Sequence, residues 1–182
     1  MQNKIVSYCK PKKIQHVSLG CSKNTVDSEH LLRQVENMGI EIVASNYELS
    51  ESSKVDAVVI NTCGFINDAK EESIEAIFSA VAAKNCGYVG RIYVFGCLSQ
   101  RYMKELIESI EEVDGFFGAF DWEGVLKALG GELDKNLLEE RYLTTPKHYA
   151  YLKISEGCDR TCSYCAIPLI RGKHISVPIE KL

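Results

Sequence analysis

One local pattern occurs three times in this chain and constrains its fold more than any other feature. A β-branched apolar run ends in a small or polar residue, a cysteine follows, and a helical pattern comes next. The three copies are Ile14-Gln15-His16-Val17-Ser18-Leu19-Gly20-Cys21, Ala57-Val58-Val59-Ile60-Asn61-Thr62-Cys63-Gly64 and Ile92-Tyr93-Val94-Phe95-Gly96-Cys97. Amphipathic stretches of helical length lie between them. Residues 24–38 carry apolar side chains at 26, 31, 32, 35 and 38 and stop at Gly39. Residues 68–84 carry Ile74, Ile77, Phe78 and Val81 and stop near Gly87, and residues 99–110 form a third helix. Short runs at 40–44 and 115–119 add strands, and residues 122–129 read as a closing helix ended by Gly130-Gly131. Alternating strands and helices predict an α/β fold, a parallel sheet with flanking helices.

That topology carries a geometric consequence. All strands of an open parallel sheet point one way, so residues just past their ends gather on a single edge, where such folds place their ligands. Cys21, Cys63 and Cys97 are predicted there, with their sulfurs around a common centre. Any one of them alone reads equally well as a small buried hydrophobe; three of three directly after a strand favours a shared site.

Residues 131–147 are polar and lead into Thr144-Thr145-Pro146, which marks a linker between a first domain at 1–130 and a second segment at 148–182. The first domain, with its complete strand and helix alternation, is expected to fold without the second. The second segment opens with an expected strand at 149–155. Its ending, Ser176-Val177-Pro178-Ile179-Glu180, resembles a helix start with Pro and an acidic residue in the first turn.

Eight cysteines are too many to be incidental in a chain of 182 residues, and in a reducing compartment they read as metal ligands or catalytic thiols rather than disulfides. Glu156-Gly157-Cys158-Asp159-Arg160-Thr161-Cys162-Ser163-Tyr164-Cys165 places three of them at CxxxCxxC spacing. Three thiolates within eight residues can wrap one metal centre. A structural zinc site wants four ligands, and the downstream candidate is His174, nine positions on. Three cysteines on a four-iron cluster instead leave one iron open for a substrate or cofactor.

The CxxxCxxC loop directly after the first strand of a segment, with Tyr164 before its last cysteine, resembles the radical S-adenosylmethionine superfamily. Leu19-Gly20-Cys21-Ser22-Lys23-Asn24-Thr25-Val26-Asp27-Ser28-Glu29, Asn61-Thr62-Cys63-Gly64-Phe65, Phe95-Gly96-Cys97-Leu98, Ile167-Pro168 and Arg171-Gly172 narrow the resemblance to its methylthiotransferases. It covers nearly everything from Lys13 to Leu182. The resemblance implies two [4Fe-4S] clusters and S-adenosylmethionine. Cys158, Cys162 and Cys165 would hold the radical-generating cluster, Tyr164 would lie against the cofactor, and Cys21, Cys63 and Cys97 would hold the cluster that delivers sulfur. No side chain in this stretch is assigned an acid or base role, because the cofactors carry the chemistry.

Two branches of that family differ in substrate. One modifies an adenosine of transfer RNA and usually shows Gln-Met-Asn after its first cluster cysteine. The other modifies the β-carbon of an aspartate in a small-subunit ribosomal protein. Ser22-Lys23-Asn24-Thr25-Val26-Asp27-Ser28-Glu29 matches the second. An electron donor and a sulfur donor complete the partners that the resemblance implies, and the fold expected beyond 148 is the opening of a partial β/α barrel. The isolated residues 1–182 are expected to be inactive, since the family builds its substrate cavity from a longer barrel. The reading from another class is a non-catalytic α/β module with a zinc loop.

Charge agrees with a protein substrate. The net charge is −4, and residues 147–182 carry +3, which leaves −7 on residues 1–146 and no electrostatic footprint for nucleic acid there. No apolar run reaches the ~18 residues of a membrane span, and the first residues lack a signal-peptide pattern, so a cytoplasmic protein is expected. Cys9 and Cys86, which follow no core strand, are expected to ligate nothing. His16, His30, His148 and His174 are dispersed and read as surface or packing residues. Asn24 stands where a helix N-cap belongs, and Glu108, Glu111, Glu112 and Asp114 read as a solvated helix end.

Overall fold

The computed structural model describes residues 10–46 and 48–182, so Cys9 lies outside the described residues. Five parallel strands form the main sheet: β1 (Lys13–Ser18), β2 (Glu41–Val43), β3 (Val55–Thr62), β4 (Val89–Gly96) and β5 (Gly115–Phe116). Their spatial order is β2-β1-β3-β4-β5. This is a doubly wound order, with its crevice between the carboxyl ends of β1 and β3, where the connections leave in opposite directions. The helices α1 (Ser22–Asn37), α2 (Asn67–Asn85), α3 (Cys97–Ser109) and α4 (Trp122–Ala128) cover the two faces. Among the described residues no helix is long and apolar enough to cross a membrane.

The central strands are apolar almost throughout because helices cover both of their faces. Val58, Ile60, Ile92 and Val94 pack with Ile77, Val81 and Leu106 of α2 and α3. Ala57, Val59, Tyr93 and Phe95 pack on the other face with Leu31 and Val35 of α1 and Val125 and Leu126 of α4. Helix ends follow local chemistry. Asp121 caps α4 by accepting from the Gly124 N–H at 3.0 Å, and α1 and α2 run out into Gly39 and Gly87 at φ of +73° and +74°.

Three expectations are corrected. The strand expected at 149–155 does not form: only β6 (Ser155–Glu156) pairs, antiparallel to β7 (Ile175–Ser176). A strand needs a neighbour with free backbone groups; here the Tyr151 carbonyl accepts from Arg141 at 2.7 Å and the Tyr149 carbonyl from the Thr145 hydroxyl at 2.8 Å. The helix start near 176–180 is a single 3-10 turn at Ile179–Lys181. Asp114 is not simply solvated: it accepts from the Ile92 N–H at 2.8 Å and from Lys84 at 2.6 Å, tying α2 to the sheet.

The segment after α4 is docked on α1 through buried carboxylates. Glu29, 0% exposed, accepts from the N–H and hydroxyl of Thr144 at 2.9 and 3.0 Å and from Arg141 at 3.4 Å. Gln34 exchanges two 2.9 Å hydrogen bonds with the backbone of Asp134. A last short helix, α5 (Ile167–Arg171), follows the cysteine loop.

Candidate functional site

Cys63 and Cys97 are the first residues past β3 and β4, and Cys21 lies three residues past β1 at the start of α1. Since the strands are parallel, all three stand at the carboxyl edge of one sheet. Cys63 and Cys97 are buried, while Cys21 is exposed. Cys86 caps the far end of α2, just before β4 begins, and so stands at the opposite edge.

Short backbone approaches assemble the edge. A Cβ at Gly20 would stand 2.6 Å from the Cβ and 2.8 Å from the Sγ of Cys63, so only glycine lets the chain before Cys21 pass over that thiol. The Thr62 hydroxyl donates to the Phe95 carbonyl at 2.7 Å, locking the ends of β3 and β4 together. The Cys63 N–H donates to the hydroxyl of buried Ser73 at 2.9 Å.

Asn24 is not the helix cap that its position suggested. Cys21 is the N-cap, with no side-chain cap bond, and Asn24 points inward, 0% exposed. Its Nδ2 donates to the carbonyls of Leu19 and Thr62 at 2.9 and 3.0 Å. These two carbonyls immediately precede Gly20-Cys21 and Cys63. Its Oδ1 faces the Cys97 thiol at 3.5 Å and accepts from Arg171 Nη2 at 2.5 Å. A cap would have satisfied one free N–H; satisfying two converging strand-end carbonyls in a dry site outweighs that.

Arg171 is the residue that sequence reasoning placed only within a motif. It ends α5, is buried, and donates through Nη2 to Cys97 Sγ at 3.3 Å. Its Nη1 donates to buried Asp27 and, at 3.2 Å, to Glu156. Lys153 joins the same group, at 2.5 Å from Asp27 and 3.1 Å from Glu156. The signal available beforehand was the spacing of Asn24 and Asp27, one turn apart on α1 and both polar on a helix whose core face is apolar.

Burial alone would lower the pKa of Arg171, but the charges of Asp27, Cys97 and Glu156 outweigh it and hold the guanidinium above its usual value. Burial pushes the Cys97 thiol up; Arg171 opposes the rise by charge and hydrogen bond, while Cys63 and Cys21 add to it. The three edge thiols are thus electrostatic neighbours.

The loop cysteines lie beside this edge. Cys158 and Cys165 are half-buried and Cys162 is exposed. The Cys165 N–H donates to the Cys162 carbonyl at 3.1 Å, and the Arg160 N–H donates to Cys158 Sγ at 3.4 Å. Cys97 packs in one buried cluster with Ala166 and Ile170, which follow the last loop cysteine directly. Tyr164 is 91% exposed. A cleft of about 490 Å³ opens beside Arg171, lined by Gln100, Phe120, Glu156, Leu169, Lys173 and Ile175. Of the histidines, His16 is buried in β1, with its pKa lowered to about 4 by burial, and His30 stacks on Trp122.

Among the described residues no three or more His, Cys, Asp or Glu side chains are grouped to hold one metal ion. An iron–sulfur cluster asks for something else. Each thiolate binds a different iron, so its ligands stand farther apart than those of a single ion. The donor set fits such a group in type: three thiols at one sheet edge, an N–H donor on one of them, and nearby carboxylates engaged by Lys153 and Arg171.

The chain is 54% identical over 173 residues to a protein of Bacteroides fragilis named "Ribosomal protein uS12 methylthiotransferase RimO", covering 95% of this chain and 39% of the relative. It is 52% identical over 170 residues to the protein of that name from Cytophaga hutchinsonii, covering 93% and 38%, and 51% identical over 166 residues to that from Pelodictyon phaeoclathratiforme, covering 91% and 37%. The chain thus spans about two fifths of the length of these curated relatives. The model of the family described as "Uncharacterized protein family UPF0004" matches residues 13–118, from β1 through β5 with all three edge cysteines, and the chain belongs to that family.

Proposed function

We propose that the chain belongs to a radical S-adenosylmethionine methylthiotransferase that adds a methylthio group to the β-carbon of an aspartate in the ribosomal protein uS12. The observation that carries the reading is the meeting of two cysteine sets. Cys21, Cys63 and Cys97 share one sheet edge, and Arg171, from the segment that bears Cys158, Cys162 and Cys165, touches Cys97. The activity for which the relatives are named supports the substrate class.

In this reading Cys158, Cys162 and Cys165 would hold one [4Fe-4S] cluster with an iron left open for S-adenosylmethionine, and Tyr164 would lie against that cofactor. Cys21, Cys63 and Cys97 hold the second cluster. When bound, these groups supply hydrogen abstraction and the transferred sulfur. The chain's own share is ligation and placement: α1 and the strand ends orient three thiols, and the ionic group around Asp27 holds the loop against them. Residues 1–130 act as the sulfur-delivering domain, 131–147 as the linker and 148–182 as the opening of the radical core. In this reading the protein works in the cytoplasm, beside its ribosomal substrate.

Anaerobic reconstitution with iron and sulfide tests the ligands. Cys21→Ala is expected to lower bound iron by about one cluster and Cys86→Ala to leave it unchanged; equal iron in both overturns the assignment. Mass spectrometry of uS12 incubated with the longer protein containing this chain tests the reaction, with a methylthio mass shift expected and an unmodified aspartate counting against it.

A further inference from the structure

We propose that Asn24 and Arg171 are positioning residues that set the geometry and the reduction potential of the edge cluster, Asn24 by holding the backbone just before Cys21 and Cys63 and facing Cys97, and Arg171 by donating to Cys97 from a second segment of the chain. The inference rests on the proposed function for the cluster itself, and it goes beyond that reading in naming residues that are not ligands.

The arrangement has an economy that packing alone does not require. One buried amide, that of Asn24, donates to the carbonyl of Leu19 and to the carbonyl of Thr62, and faces the Cys97 thiol through its oxygen. It therefore contacts the chain two residues before Cys21, the residue before Cys63, and Cys97 itself. A carboxylate of the same shape could not do this, since it has no hydrogen to donate to either carbonyl. Arg171 then fills the remaining direction, donating to the Asn24 oxygen at 2.5 Å and to Cys97 Sγ at 3.3 Å through the same nitrogen group.

The guanidinium cannot drift, because Asp27 and Glu156 hold its other end. Hydrogen bonds and positive charge at a ligand sulfur stabilise the reduced, more negative cluster and so raise its potential. The Arg171 donor would act on Cys97 and, through α5, couple the edge cluster to the position of the CxxxCxxC loop.

The test uses the chain with Cys158, Cys162 and Cys165 all changed to Ala, so that iron reports the edge cluster alone. Redox titration followed by electron paramagnetic resonance is expected to give a lower potential for Arg171→Gln than for its parent at unchanged iron content. Arg171→Lys, which keeps a charged donor, is expected to recover part of the shift. An unchanged potential at unchanged iron overturns the inference, because a merely structural role would alter iron content or stability instead.

Should the parent hold no iron, the cluster reading falls. The positioning claim is then judged on the metal-free chain by amide exchange at residues 19–21 and 62–64. Asn24→Asp is expected to speed exchange there at least tenfold while leaving Val58 to Ile60 slow, and equal exchange in both chains overturns it.

Discussion

Arg171 Nη2 lies 3.3 Å from Cys97 Sγ although 74 residues separate them in the chain. The contact joins the last residue of α5 to the first residue of α3. It is possible because the opposite side of the guanidinium is neutralised by Asp27, which is 1% exposed.

That dependence predicts a large effect at Asp27. Removing one member of a buried charge group leaves the others without compensation, typically about 3–5 kcal/mol. Asp27→Ala leaves Arg171 and Lys153, two cations, to share the single carboxylate of Glu156. Urea unfolding is expected to show a loss of that order, and a change under about 1 kcal/mol would show that water replaces the carboxylate without penalty.

Glu29 predicts a local detachment instead. It holds the 131–147 segment through Thr144 and Arg141. Glu29→Ala is expected to expose the amides of Tyr142 and Thr144 to exchange and to speed tryptic cleavage after Arg141, while the amides of β3 stay protected. Unaltered exchange at Thr144 would mean that other contacts dock the segment.

Two glycines separate backbone strain from close approach. Gly39 has φ of +73° and open space around it, so Gly39→Ala carries only the left-handed penalty of about 1–2 kcal/mol. Gly20 has φ of +88°, and its Cβ would strike Cys63 as well. Gly20→Ala is therefore expected to destabilise the fold more than Gly39→Ala and, unlike it, to reduce reconstituted iron. Equal effects on both readouts would remove the role given to the Gly20 approach.

His16 predicts a pH dependence. Its folded pKa is lowered from 6.5 to about 4 by burial, and its Nε2 has no hydrogen-bond partner. The unfolded chain binds the proton more readily, so stability falls as pH drops from about 6.5 towards 4, by on the order of 3 kcal/mol over that window, and is unaffected by this group above it. Chemical denaturation across pH 4 to 8 should show a fall that His16→Leu abolishes. A fall of the same size in His16→Leu would assign it to carboxylates.

The repeated strand, cysteine and helix pattern determined the parallel sheet and the side on which Cys21, Cys63 and Cys97 emerge, because strand direction and period are local properties and a parallel sheet turns them into a common edge. The loop spacing of Cys158, Cys162 and Cys165 was equally legible, being confined to eight residues. Asn24 was misread as a cap, since its position on the first turn of α1 is the same whether it bonds its own helix or two strands elsewhere in the chain. The strand expected at 149–155 failed for a related reason: its apolar pattern was present, but the hydrogen-bond partners that make a strand are supplied by the rest of the molecule. Only the tertiary structure could bring Arg171 to Cys97 and bury Asp27 between Arg171 and Lys153, because those bonds join α1, α3 and α5 across long stretches of chain. Their strength depends on the dry surroundings that packing creates.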